Sequence, residues 1–120
     1  MYLEPLLPGR AYGLGKMQGP GEPGQIVRLV DHDTFSVNTG ATQPSFGLLY
    51  KAAKDGEMPT VYCDGGIYET DNFTAPVQPD EFLKVSGVAG NLAGGVGAAD
   101  KVVAQAISVA GGVLRFKLLV

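Results

Sequence analysis

Cys63 and His32 are the only thiol and the only imidazole in the chain. A Cys–His nucleophilic pair needs both groups in one cleft, with a third group orienting the base. Cys63 lies in a β-rich run beside a glycine turn, where a small, semi-apolar residue packs well. His32 stands between Asp31 and Asp33. On a strand the two aspartates share a face and His32 points away from it. One histidine with two acids is an incomplete ligand set for zinc. An Asx-rich turn is the expected use of these residues. Glu69 and Asp71 are two apart and could share a strand face as a carboxylate pair, the arrangement of a glycosidase. Acids beside a turn are commonly just solvated. The glycine-rich segments invite a phosphate-loop reading, which fails. Gly13-Leu14-Gly15-Lys16 is followed by Met17, and Arg10 stands where that motif needs glycine. Gly94-Gly95-Val96-Gly97 has no lysine after it and no strand–turn–helix context to aim amides at a phosphate. Ser36, Ser45, Ser86 and Ser108 lie in no nucleophile elbow. The sequence predicts no catalytic, cofactor-binding or metal-binding residues, and no enzyme activity.

The remaining composition points to a β-rich binding or scaffolding module. A length of 120 residues suits one domain with one modest core. Glycine occurs 18 times and proline 8 times without a collagen period, so glycine is read as turns, bulges and loops. A net charge of −3 disfavours nucleic acid, which would require a basic patch. Residues 55–81 hold seven acids (Asp55, Glu57, Asp64, Glu69, Asp71, Asp80, Glu81) and no Lys or Arg. That stretch reads as a solvated acidic face, or as an electrostatic match to a basic partner. A single cysteine excludes an intrachain disulfide and fits a reducing compartment. The N-terminus lacks a signal-peptide pattern. The longest mostly apolar run, 102–114, is broken by Gln105, Ser108 and Gly111-Gly112, so no membrane span is expected. A soluble protein made in a cytoplasm is the expectation.

These residues must be positioned by short strands. Residues 1–24 form a distinct region, an extended arm with four prolines (Pro5, Pro8, Pro20, Pro23), in which continuous helix or ladder is not expected. Tyr2, Leu3, Leu6, Leu7, Tyr12 and Leu14 make that arm too apolar for a solvated linker, so they are the predicted partner-binding residues. The arm's surface is its own domain, a sister subunit or a larger partner. From residue 25 the text becomes strand-like. Val27 and Leu29 oppose Arg28, and Phe35 and Val37 oppose Thr34, Ser36 and Asn38. Residues 46–50 read as a strand and 51–54 as a single helical turn. Residues 58–63 and 67–71 flank a tight turn at Asp64-Gly65-Gly66. Residues 81–86 are β-like, and 87–97 form a glycine-rich loop. Leu114, Phe116 and Leu118 alternate with Arg115 and Lys117. Gly111-Gly112 supplies a hairpin turn, which tips residues 102–109 towards strand. The fold class is mainly β: a small antiparallel barrel or sandwich over 25–120, with the arm at 1–24.

Several stretches resemble one structural family. They are Phe46-Gly47-Leu48-Leu49, Lys54-Asp55-Gly56-Glu57, Thr60-Val61-Tyr62, Gly65-Gly66-Ile67-Tyr68-Glu69-Thr70-Asp71 with Phe73, Val103-Ala104-Gln105-Ala106, and Gly112-Val113-Leu114-Arg115-Phe116-Lys117-Leu118. Together they are similar to the small head-decoration (capsid cement) proteins of tailed bacteriophages, over roughly residues 26–120. The resemblance rests on turns and strand patterns; the arm matches only in style. It implies a compact β-barrel or β-tulip on the outer capsid surface of the virion, made in the host bacterial cytoplasm. It implies binding to the major capsid protein and a homo-oligomer, a trimer favoured over a dimer. It implies an arm that adds a strand to the shell or reaches a neighbour, anchored by Leu6 and Leu7 with Tyr2 and Tyr12 secondary. No enzyme activity, cofactor, nucleic acid or membrane is implied. Deleting residues 1–18 is then expected to leave a folded barrel that no longer coats shells. The main alternative is another virion β-module, associated with head fibre, tail or baseplate. A small hydrolase using Glu69 and Asp71 and a carbohydrate-binding module are further readings. The latter would want exposed tryptophans, and the chain has none.

Overall fold

Short apolar–polar alternations between glycine turns fold into strands throughout. In the computed structural model, which covers residues 1–120, the elements are β1 (Leu3–Tyr12), β2 (Lys16–Met17), β3 (Ile26–Asp31), β4 (Thr34–Val37), β5 (Gly47–Leu49), β6 (Val61–Thr70), β7 (Phe73–Thr74), β8 (Phe82–Val85), β9 (Leu92–Ala93), β10 (Ala104–Ala110) and β11 (Val113–Leu118). There is no helix. The strands hydrogen-bond in the order β2-β4-β3-β5-β6-β11-β10-β8-β9-β7, with β1 paired to β6 off this path. All pairs are antiparallel except β2–β4 and β7–β9. The terminal strands β2 and β7 do not pair with each other, so the sheet is open and the expected barrel closure is not seen.

The branch at β6 explains this path. β1 occupies one edge of β6 from Val61 to Thr70. The other edge is divided: β5 takes Val61 and Tyr62, and β11 takes residues 67–70. The division falls at Asp64, Gly65 and Gly66, whose φ values are +59°, +84° and +103°. The tight turn expected there is instead an irregularity inside one continuous strand. Glycine supplies the positive φ, as predicted, but β1 bridges both halves of β6 and prevents a hairpin.

Two apolar clusters lie on opposite faces of the β3–β5 wall. Ile26 and Leu48 belong to the larger, with Leu3, Tyr68, Leu83, Val85, Leu92, Leu114, Phe116 and Leu118 among its members. Val27 and Leu49 belong to the smaller, with Met17, Phe35, Ala53 and Val61. Adjacent residues in a strand face opposite ways, so both faces are covered here. Val27 and Leu29 keep the expected common face, opposite Val37 and Phe35, but burial differs: Ile26 and Val27 are both buried, whereas Leu29, near the exposed β3–β4 hairpin, is 46% exposed. Burying each large apolar side chain contributes roughly 2 kcal/mol.

The local hairpins close on their turn residues. β10 and β11 meet across Gly111-Gly112 (φ +59° and +75°), and Leu114, Phe116 and Leu118 are buried as expected. β3 and β4 join through His32 and Asp33, with Asp33 at φ +46°. Residues 51–54 form no helical turn; Ala53 bridges to Gly21. The 87–97 segment contains β9, and its Asn91, Leu92 and Ala93 are buried.

The largest correction concerns residues 1–24. Leu3–Tyr12 is a ten-residue strand on the molecule's own sheet. The prolines did not prevent a ladder because each immediately precedes a register shift, between Pro5 and Leu7 and between Pro8 and Arg10. Leu3 and Met17 are core residues. Removing residues 1–18 would therefore expose one whole edge of β6 and empty parts of both clusters, contrary to the expected folded remnant.

Candidate functional site

The groups capable of chemistry are held apart or engaged. Cys63 lies opposite Arg10 in the β1–β6 ladder, and its thiol is pushed up first by burial and then by the Asp64 charge. His32 is at the tip of the β3–β4 hairpin with its side chain 94% exposed, 3.5 Å from the Asp33 carboxylate. Asp33 in turn accepts a hydrogen bond from the Tyr12 hydroxyl, which raises the Tyr12 pKa. Glu69 accepts from Arg115 Nη2 at 2.7 Å, and Asp71 accepts the Tyr2 N–H at 2.9 Å. The two carboxylates of the glycosidase reading thus each have a partner of their own.

The seven acids of residues 55–81 follow the same rule. Besides Glu69 and Asp71, Asp55 accepts the Gly19 N–H (2.8 Å) and Glu57 the Lys54 N–H (2.6 Å). Asp64 meets Arg10 at 3.5 Å and Asp80 accepts from Gln105 Nε2 at 2.8 Å. Glu81 accepts the N–H groups of Gln78 and Gly95, both at 3.0 Å, which lowers its pKa. Carboxylates that satisfy loop amides are a structural use of charge. Each of the seven has a partner within the chain.

The candidate surface is therefore the β1 edge, built as follows. Tyr2 starts it: its N–H is held by Asp71, and its C=O accepts from the Thr70 hydroxyl at 2.8 Å. Leu3 turns inward to the larger cluster. The register shift between Pro5 and Leu7 inserts Leu6 as an extra residue opposite β6. Leu6 and Leu7 are consequently both exposed, Leu7 to 66%. The second shift centres on Gly9. Its N–H donates to the Tyr68 hydroxyl (3.0 Å), which donates onward to the Gly65 C=O (2.9 Å). One buried hydroxyl thus spans the gap between the two irregular strands. A Cβ at Gly9 would run into the carbonyl oxygens of Cys63 and Gly65. Tyr12 ends the strand half-buried, its ring 5.7 Å from Phe35 and 5.2 Å from Phe46. Leu14 lies beyond, in the exposed link to β2, at 74%.

Of the six residues singled out by sequence, the structure thus places Leu6 and Leu7 side by side facing solvent. It turns Leu3 into the core and Tyr12 against the smaller cluster, and leaves Tyr2 and Leu14 at the two ends. Tyr68 was missed as the organiser of this edge; the sole signal was an aromatic two residues after Gly66. The tyrosines, scattered in sequence, also line up in part: Tyr50, Tyr62, Tyr68 and Phe116 form a row with successive centroids 5.3, 5.3 and 5.7 Å apart. A surface cleft of about 550 Å³ adjoins the far end of β1, lined by Arg10, Tyr12, Ser45, Phe46, Cys63 and Asp64 among others. The chain matches no known family and no curated protein.

Proposed function

We propose that this protein is a structural module that decorates the outer surface of a tailed-phage head and strengthens the shell. The observation that carries the reading is the Leu6–Leu7 pair, presented outward on the firmly paired β1 strand. Supporting it are the all-β architecture and the likeness of residues 26–120 to head-decoration proteins. The partner is the major capsid protein, and the protein acts as a homo-oligomer. A module that binds only the assembled lattice stabilises that lattice by mass action. Repetition over many sites multiplies modest single-site energies. On this reading β1 contributes the exposed Leu6 and Leu7 side chains to the contact, while one of its backbone edges is committed to β6.

The test is binding to expanded tailed-phage heads stripped of their own decoration protein, scored by negative-stain imaging and pelleting. Wild-type protein should coat them. L6D/L7D should stay folded, since both side chains face solvent, and should lose at least about tenfold in occupancy. Undiminished binding by the folded variant would assign the contact elsewhere. No binding by wild type to any such head would end the decoration reading.

A further inference from the structure

β1 is a ten-residue strand with one edge on β6 and no strand on its other edge. An unpaired strand edge is a template for pairing with another chain. Which way each backbone group points decides whether this edge can serve. The Tyr2 N–H and C=O both engage groups of the β6 side, Asp71 and Thr70. Backbone groups alternate between the two edges of a strand, so Leu3 and Pro5 face the free edge. Across the Leu6 insertion the phase flips. The Gly9 N–H points to the Tyr68 hydroxyl within the β1–β6 seam, so Pro8 faces the free edge, while Arg10 beyond it pairs with Cys63. Both prolines therefore stand at outward positions, where an incoming strand would look for a donor and neither supplies one.

We propose that Pro5 and Pro8 guard this edge against strand addition by a second copy of the chain. The self-pairing they block is sharply defined. An antiparallel β1–β1 pair centred between Leu6 and Leu7 matches Pro5 with Pro8. Its centre would be apolar, but both Pro5–Pro8 pairs would set carbonyl against carbonyl with no donor. Four buried acceptors without partners make the ladder unfavourable. With alanine at both positions the two Pro5–Pro8 pairs gain their donors, and Leu6 packed on Leu7 reinforces them. The guard acts whatever the protein binds, so it stands apart from the decoration reading.

Sedimentation velocity over a concentration series tests this on the full chain, with far-UV circular dichroism as the folding check. Whatever assembly wild type forms sets the baseline. P5A/P8A should show an added self-association, tightened by at least about tenfold over wild type. P5A/P8A/L7K should return to baseline, because a lysine at the centre of the new pair opposes it. Folded P5A/P8A that sediments as wild type at every concentration overturns the proposal. So does association that survives Leu7→Lys. Should the double variant misfold, P5A and P8A alone each restore part of the ladder. A weaker added association in either supports the guard, and none in both overturns it.

Discussion

The β10–β11 hairpin and the β1–β6 ladder are both antiparallel pairs contributing to one core, yet they are specified in different ways. The hairpin is local. Two glycines at positive φ turn the chain, and strict alternation of Leu114, Phe116 and Leu118 with Arg115 and Lys117 sets its inward face. The ladder joins Leu3 to Thr70 and is broken twice in register. It is held by devices that no periodicity reveals: the Gly9 close approach, the Tyr68 hydroxyl, and the Tyr2 lock on Asp71 and Thr70. Local pairs are specified by turn chemistry, distant pairs by the few residues that fit irregular backbones together.

Gly66→Ala should break the comparison most severely. Gly66 has φ +103°, and a Cβ there would lie 2.5 Å from the Gly9 nitrogen and 2.7 Å from the Tyr68 hydroxyl. We expect a loss of about 3 kcal/mol or more in chemical denaturation. Amide exchange should rise first in β1 while β10–β11 stays protected. Equal loss of protection in both pairs would show that they form one cooperative unit.

Tyr68→Phe comes next. It keeps the ring on Phe116 but strands the Gly9 N–H and the Gly65 C=O, for a loss of about 1–3 kcal/mol. The same hydroxyl gives the ladder a pH dependence. Burial raises the Tyr68 pKa above its ordinary 10.0, so its contribution is complete below that pH and is lost as pH rises through the folded value. Wild-type stability should therefore fall in strong alkali by more than that of Y68F, as denaturation midpoints at pH 9 and pH 11 would register. Identical falls would remove Tyr68 as the cause.

Gly111→Asn sharpens the other side with the smallest effect. Asparagine tolerates φ +59° in a hairpin turn, so the change should stay within about 0.5 kcal/mol, read as a melting shift of a few degrees at most. A larger loss would mean that the hairpin, too, depends on more than its turn.

The same contrast explains what could be read from residue order. Strands β3, β4, β8, β10 and β11 were visible because alternation and glycine turns are near-neighbour properties. β6 was read as two strands because Asp64-Gly65-Gly66 is chemically a turn, and only β1 lying across it makes it an irregularity. Residues 1–24 read as an arm because prolines argue against ladders, and nothing nearby in sequence announces the two register shifts of β1. For the candidate surface, the apolarity of Leu6 and Leu7 was legible. Their separation from Leu3 and Tyr12, which turn inward, depended on the bulge and was not.

The β1–β6 seam also bears on how the polypeptide is made. β1 leaves the ribosome well before its partner, which arrives only after the Val61–Thr70 stretch has been translated. A long-range pairing of this kind closes late. Throughout that wait an apolar segment is exposed among other nascent chains, and two prolines make it a poor substrate for premature cross-strand aggregation.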